Sequence, residues 1–181
     1  MTARLATGLA LVVAACGSAG DAPIDAPGRD APEPCVAASL ELGRCVTDAG
    51  APCTGDAAEV RRFAAVAAGG PVPLVVGPQS SSMLVLAIRT AGIVPGDPVD
   101  PASPSNPLIA IEVSRAGTVA ASYRGRSAFV DDGAGQQVAA GLFVVTDGGD
   151  LGGAALAGHA EVTDAAGAAR CGDLAFVVGT P

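Results

Sequence analysis

Residues 108–125 read LIAIEVSRAGTVAASYRG, and this stretch decides the fold class. From Leu108 to Arg115, the apolar Ile109, Ile111 and Val113 alternate with Ala110, Glu112 and Ser114. A period of two belongs to a half-buried strand, whose successive side chains point to opposite faces. Ala116-Gly117 makes a tight turn, and Thr118 to Gly125 alternates again. The reading places Val119, Ala121 and Tyr123 inward, with Thr118, Ser122 and Arg124 outward. Two alternating runs around a two-residue turn form an antiparallel hairpin.

The pattern continues on both sides. Downstream, Asp131-Asp132-Gly133 is a turn and Gln137 to Thr146 a strongly apolar, central strand. Asp147 to Asp150 is another turn, Ala155 to Thr163 a strand, Asp164 to Gly167 a turn, and Leu174 to Val178 the last strand. Upstream, Ser80 to Thr90 is a strand with Leu84, Leu86 and Ile88 on one face, and Val72 to Gly77 a shorter one. Asp56 to Ala68 contains AAEVRRFAAVAA, which reads either as a short helix or as an irregular strand ending at Gly69-Gly70. Gly43 to Gly55 reads as a loop. Before it, Val36, Ala38, Leu40 and Leu42 alternate with Ala37, Ser39 and Glu41. About eight strands between Gly, Asp and Pro turns predict an all-β domain. The expected architecture is an antiparallel β-sandwich, immunoglobulin-like only in the broad sense, because the chain has no Trp for a Cys…Trp…Cys core.

One connection is unusual. In Ala91 to Asn106 and the residue after it, Pro95, Pro98, Pro101, Pro104 and Pro107 recur every third residue. That is the polyproline II period, so these prolines are expected to line one edge. The plain reading is a stiff link between two sheets; the functional one is a PxxP ligand for a partner's groove.

Composition sets the partner class. The net charge is −8, and removal of Arg4 with a leader makes the chain one unit more negative. An acidic surface repels phosphate backbones, so no nucleic-acid partner is expected. All ten basic residues are Arg, a mark of a high-GC bacterial genome. Aromatics are only 3%, which leaves the core to Val, Leu, Ile and Ala.

The leader is the other informative region. Arg4 precedes the apolar run Leu5 to Ala15, and the run ends in Val13-Ala14-Ala15-Cys16. Eleven residues are too few to span a bilayer, which takes about 20, but they suit the apolar segment of a secretory signal. Val13 to Cys16 resembles the lipobox of bacterial lipoproteins. The resemblance implies cleavage before Cys16 and acylation of both its thiol and its new amine, which together anchor the chain in a membrane. Domain boundaries follow: residues 1–15 a lipoprotein signal peptide, 16–34 a tether repeating Asp-Ala-Pro, and 35–181 the β-domain. The tether is too polar and Pro-rich to bury a core. Gly17-Ser18 after the lipid, without an acidic sorting residue, points to the outer membrane of the cell envelope.

With Cys16 lipidated, Cys35, Cys45, Cys53 and Cys171 remain. Four cysteines in an exported chain read as two disulfides with three possible connectivities. The spacing favours a local Cys45–Cys53 loop and a Cys35–Cys171 tie between the ends of the domain. No C-x-x-C pair supports zinc.

The run from Phe63 to Pro95, FAAVAAGGPVPLVVGPQSSSMLVLAIRTAGIVP, resembles uncharacterised predicted lipoproteins of high-GC bacteria. In that group a Phe and a Gly-rich turn precede an apolar strand, then Gly-Pro-Gln, then a strand ending in Arg. The group carries Gly-Gly-x-His after Gly-Pro-Gln. Here Ser80-Ser81-Ser82-Met83 follow Gly77-Pro78-Gln79, so any role of that His is absent. The resemblance implies a lipoprotein with a β-domain and no mechanism.

Candidate chemistry is sparse. His159 is the only histidine and belongs on the polar face of its strand with Glu161 and Thr163. A His–Glu pair can move protons, but no motif ties a nucleophile to it. Ser80, Ser81 and Ser82 lack the G-x-S-x-G setting of a nucleophile elbow. Asp131, Asp132, Asp147, Asp150, Asp164 and Asp173 offer oxygen ligands of the type Ca²⁺ takes, although Asp and Gly also suit hairpin turns on conformational grounds alone. The sequence therefore predicts a lipid-anchored envelope protein, neither enzyme nor cofactor-binder, serving as an interaction or structural module with an envelope protein partner. The alternative is a calcium- or small-ligand-binding β-sandwich.

Overall fold

The structure is a computed structural model that describes residues 40–54, 56, 59–77, 80–146 and 151–179. All of them fall within the unit Pro32–Pro181. Among the described residues ten strands follow one another: β1 (Leu40–Thr47), β2 (Arg61–Ala64), β3 (Gly70–Val76), β4 (Ser82–Thr90), β5 (Leu108–Arg115), β6 (Thr118–Arg126), β7 (Val130–Asp131), β8 (Gln137–Thr146), β9 (Ala155–Thr163) and β10 (Ala169–Gly179). No helix occurs among the described residues. Of the two readings of Asp56 to Ala68, the strand holds, over Arg61–Ala64.

The expected sandwich is not formed. The sheet runs β2-β1-β4-β3-β10-β9-β5-β6-β8-β7, and β4 also pairs with β8 from Met83 to Thr90. That second pairing closes β4, β3, β10, β9, β5, β6 and β8 into a seven-strand barrel. Nor is the sheet wholly antiparallel, because β3 pairs with β10 in parallel, Phe176 to Gly179 against Gly70 to Pro73. Alternation serves a barrel and a sandwich equally well. What distinguishes them is whether the end strands of the sheet meet.

The barrel interior is filled. Leu84, Leu86 and Ile88 of β4, Ile109 and Val113 of β5, and Val162 of β9 are fully buried within one apolar cluster. Phe129 and Ile93 close one end of it. In the β5–β6 hairpin, Ala116 and Gly117 both have positive φ, 50° and 82°, as the expected tight turn requires. One inward position differs: Val119 is 49% exposed. The register shifts so that Val113 faces Ala121 but Ser114 faces Val119. This bulge at Ala120 turns Val119 away from the core.

A second, smaller core lies outside the barrel. Cys45, Cys53, Met83, Val85 and Ala87 are buried together, with Phe63, Val75, Ala140 and Phe143 packed against them. The flap that covers them consists of the outer half of β1, the segment to Cys53, and β2. β1 runs on to Thr47, through the expected loop at Gly43, and pairs Arg44 to Thr47 with Ala64 to Arg61. Gly43 allows this: a Cβ there would lie 2.6 Å from the Phe63 ring and 2.5 Å from the Ala64 carbonyl oxygen. The barrel wall under the flap is β4 and β8. Gly141, at φ 80°, bulges β8 there and leaves room for the Arg61 side chain to cross it.

The polyproline period does not produce an extended edge. Residues 91–107 fold as successive turns around Asn106, which is fully buried. Its Oδ1 accepts from the Asp97 N–H at 2.6 Å, and its Nδ2 donates to the Asp100 carbonyl at 2.9 Å. Turns at Pro101 and Pro104 interrupt an extended polyproline conformation.

Candidate functional site

The wall opposite the flap carries the lone histidine. β9 has a strict alternation of exposed and buried residues, which places His159 and Glu161 on the outer face as expected. Strand register then brings together residues distant in sequence. His159 faces Asp173 across β9–β10 and Glu112 across β5–β9, and Glu112 faces Ser122 on β6. A polar row Asp173–His159–Glu112–Ser122 thus crosses four strands. Shallow depressions of about 320 and 350 Å³ flank His159 on either side.

The geometry favours the charged imidazole. Nδ1 lies 2.7 Å from Asp173 Oδ1, and Nε2 lies 3.4 Å from Glu161 Oε1. An ionised carboxylate only accepts, and neutral histidine has only one N–H to give, so the protonated ring alone satisfies both contacts. The hydrogen bond that His159 donates to Asp173 is the main cause holding its pKa above the ordinary value; burial opposes it and Glu161 adds to it. Among the described residues, no hydroxyl or thiol hydrogen-bonds to this ring. Ser82 lies at the start of β4, across the barrel, so the serine cluster and the histidine are not brought together.

Asp173 was expected among the acidic turns, and the structure corrects this by placing it within β10. The observed turn, Asp164 to Ala168, mirrors position 159 onto 173, whereas the expected four-residue turn, Asp164 to Gly167, mirrors it onto Gly172. Glu112 was foreseen as outward-facing, but its place opposite His159 depends on the β5–β9 pairing, which no local pattern encodes.

Of the acids expected in turns, Asp131, Asp132 and Asp164 accept from the backbone N–H groups of their own turns. Asp131 Oδ1 accepts from the Gly133 N–H at 2.6 Å, and Asp132 Oδ1 from Ala134 at 2.8 Å. Asp164, buried at 6% exposure, accepts from Ala166 and Ala168 through Oδ1 and from Val94 through Oδ2. Burial pushes the Asp164 carboxyl up, but the three backbone N–H groups and nearby Arg170 outweigh it and hold the pKa below the ordinary value. No three His, Cys, Asp or Glu side chains among the described residues are grouped to hold a metal ion. Asp147 and Asp150 lie outside the described residues.

The Cys45–Cys53 disulfide is formed, with both residues buried. Cys171 is buried and disulfide-bonded as well. Its expected partner Cys35 and the expected lipidation site Cys16 lie outside the described residues.

Comparison with known proteins adds no relative: no family model, no curated protein and no solved structure matches this chain.

Proposed function

We propose that this is a lipid-anchored protein of the bacterial envelope, held through Cys16 on the tether 16–34 in the outer membrane. Its β-domain works without catalysis, as an interaction or structural module. The observation that carries the reading is the register of Arg4, the apolar run Leu5 to Ala15 and Val13-Ala14-Ala15-Cys16. The loop 91–107 supplies a contact surface for a protein partner: hydrogen bonds to Asn106 stiffen it, and Val99 near its tip is 88% exposed. A stiff loop loses little conformational freedom on docking.

The test is metabolic labelling with a palmitate analogue, followed by membrane fractionation. The wild-type chain should carry label and sediment with outer-membrane fractions. Cys16→Ser should abolish the label and release the chain to the soluble fraction. Equal labelling of both chains, or a soluble wild type, would reject the anchor.

A further inference from the structure

We propose that the cleft between β2 and β7 is a carboxylate-binding site, taking a monocarboxylate on a small apolar body, with Arg61 as its principal cation. The cleft measures about 210 Å³ and is lined by Arg61, Arg62 and Arg89. Three guanidinium groups converge there in a chain of net charge −8. Two are already matched: Arg62 Nε donates to Asp48 Oδ1 at 2.6 Å, and Arg89 Nε to Glu41 Oε2 at 3.0 Å.

Arg61 differs from both. No carboxylate among the described residues lies within ion-pair distance of it. Its one hydrogen bond among the described residues is a long one, Nη2 to the Asp56 carbonyl at 3.3 Å, and its buried Nε has no acceptor among them. A buried N–H left unmatched is rare in a folded protein and points to a missing partner. The side chain of Arg61 lies across Gly141, which offers none, and 5.6 Å from the centre of the Phe143 ring. Arg61 lines the cleft, and its planar guanidinium fork matches a carboxylate through two parallel hydrogen bonds.

The other walls define the ligand class. Phe63, Val130 and Val138 line the cleft too, and Val130 is half-exposed, so a short aliphatic body has apolar surface to cover. Asp131 and Asp132 stand beside it. Their Oδ1 atoms are committed to turn N–H groups, but their charge remains and disfavours a dianion such as phosphate. A monoanion with an apolar tail fits both conditions.

The experiment is a titration of the full chain, purified in detergent, with sodium butyrate, sodium phosphate or sodium chloride at one fixed ionic strength, followed by circular-dichroism melting. Butyrate should raise the midpoint saturably, phosphate less, and chloride not at all. Arg61→Gln should weaken butyrate roughly tenfold or more, the scale of a lost charge-assisted pair. Asp132→Asn leaves Arg61 untouched and should tighten butyrate. Butyrate acting no differently from chloride overturns the site, as does unchanged affinity in Asp132→Asn. Phosphate binding more tightly than butyrate overturns the ligand class. None of these outcomes depends on lipidation of Cys16.

Discussion

Strands β4 and β9 stand on opposite walls of one barrel and illustrate two different ways of burying a strand. β9 alternates without exception between exposed and buried. β4 is buried continuously from Met83 to Ile88. Both present one face to the barrel interior. The difference lies outside: β9 meets water there, whereas β4 meets the flap of β2 and the Cys45–Cys53 segment. A run of apolar residues without alternation thus marks a strand covered twice.

The sharpest break of this comparison puts the same carboxylate on both outer faces. Val85→Glu places a charge at a site 3% exposed beneath the flap. It should cost about 4 kcal/mol or more, because the carboxylate gives up its water among Cys45, Cys53, Met83 and Ala87. Ala157→Glu on the outer face of β9 should change stability by less than about 0.5 kcal/mol. Urea denaturation of both variants decides the matter, and equal costs would mean that the flap does not exclude water from β4.

Asp164 sharpens the same point from the other side, as a buried carboxylate that the fold accepts. Three backbone N–H groups meet it. Asp164→Ala should cost about 3 kcal/mol by leaving those donors unmatched. Its depressed pKa also fixes a sign. The folded state favours the ionised carboxyl, so its contribution is complete above the unfolded value near ~3.9 and is lost as pH falls through the lower folded value. The wild type should therefore lose stability in strong acid more steeply than Asp164→Ala; parallel acid profiles would count against this assignment.

A third test removes the flap's staple. Replacing Cys45 and Cys53 together by Ser frees a short loop and should cost about 2.5 kcal/mol in the chain-entropy account. The loss should be local. Hydrogen exchange should quicken in β2 and on the β1 residues paired with it, while β9 and β10 keep their protection. Uniform acceleration over the whole sheet would instead make the flap part of one cooperative unit with the barrel.

The bare wall was legible in the sequence and the covered wall only in part. For β8 and β9 the expected bounds, Gln137 to Thr146 and Ala155 to Thr163, are the observed ones, because apolar periodicity and flanking turns act locally. The apolar run of β4 was legible too, with Leu84, Leu86 and Ile88 correctly assigned to one face. What covers its other face was not. β2 has only four residues, and its placement depends on Phe63 settling over Gly43, a contact between distant positions that leaves no periodic trace. Barrel closure was hidden for the same reason, since β3 pairs with β10 about a hundred residues later. The His159 neighbourhood shows both cases: Glu161 was readable two positions along the strand, and Asp173 and Glu112 arrive through pairing.

The smallest expected effect belongs to that histidine, and its sign is opposite to that of Asp164. The folded state holds His159 above its ordinary pKa near ~6.5, chiefly through Asp173. Its contribution is therefore complete below that value and fades as pH rises through the folded one. The side chain is 45% exposed, so solvent screening keeps the gain under about 0.5 kcal/mol. Comparing urea midpoints of the wild type and His159→Gln at pH 5.5 and pH 8 isolates the term. A wild-type advantage present at the lower pH and gone at the higher one confirms the charged Asp173–His159 pair. An advantage that grows with pH would mean that the ring is preferred neutral in the fold, and the polar row across the bare wall would then be held by hydrogen bonding alone.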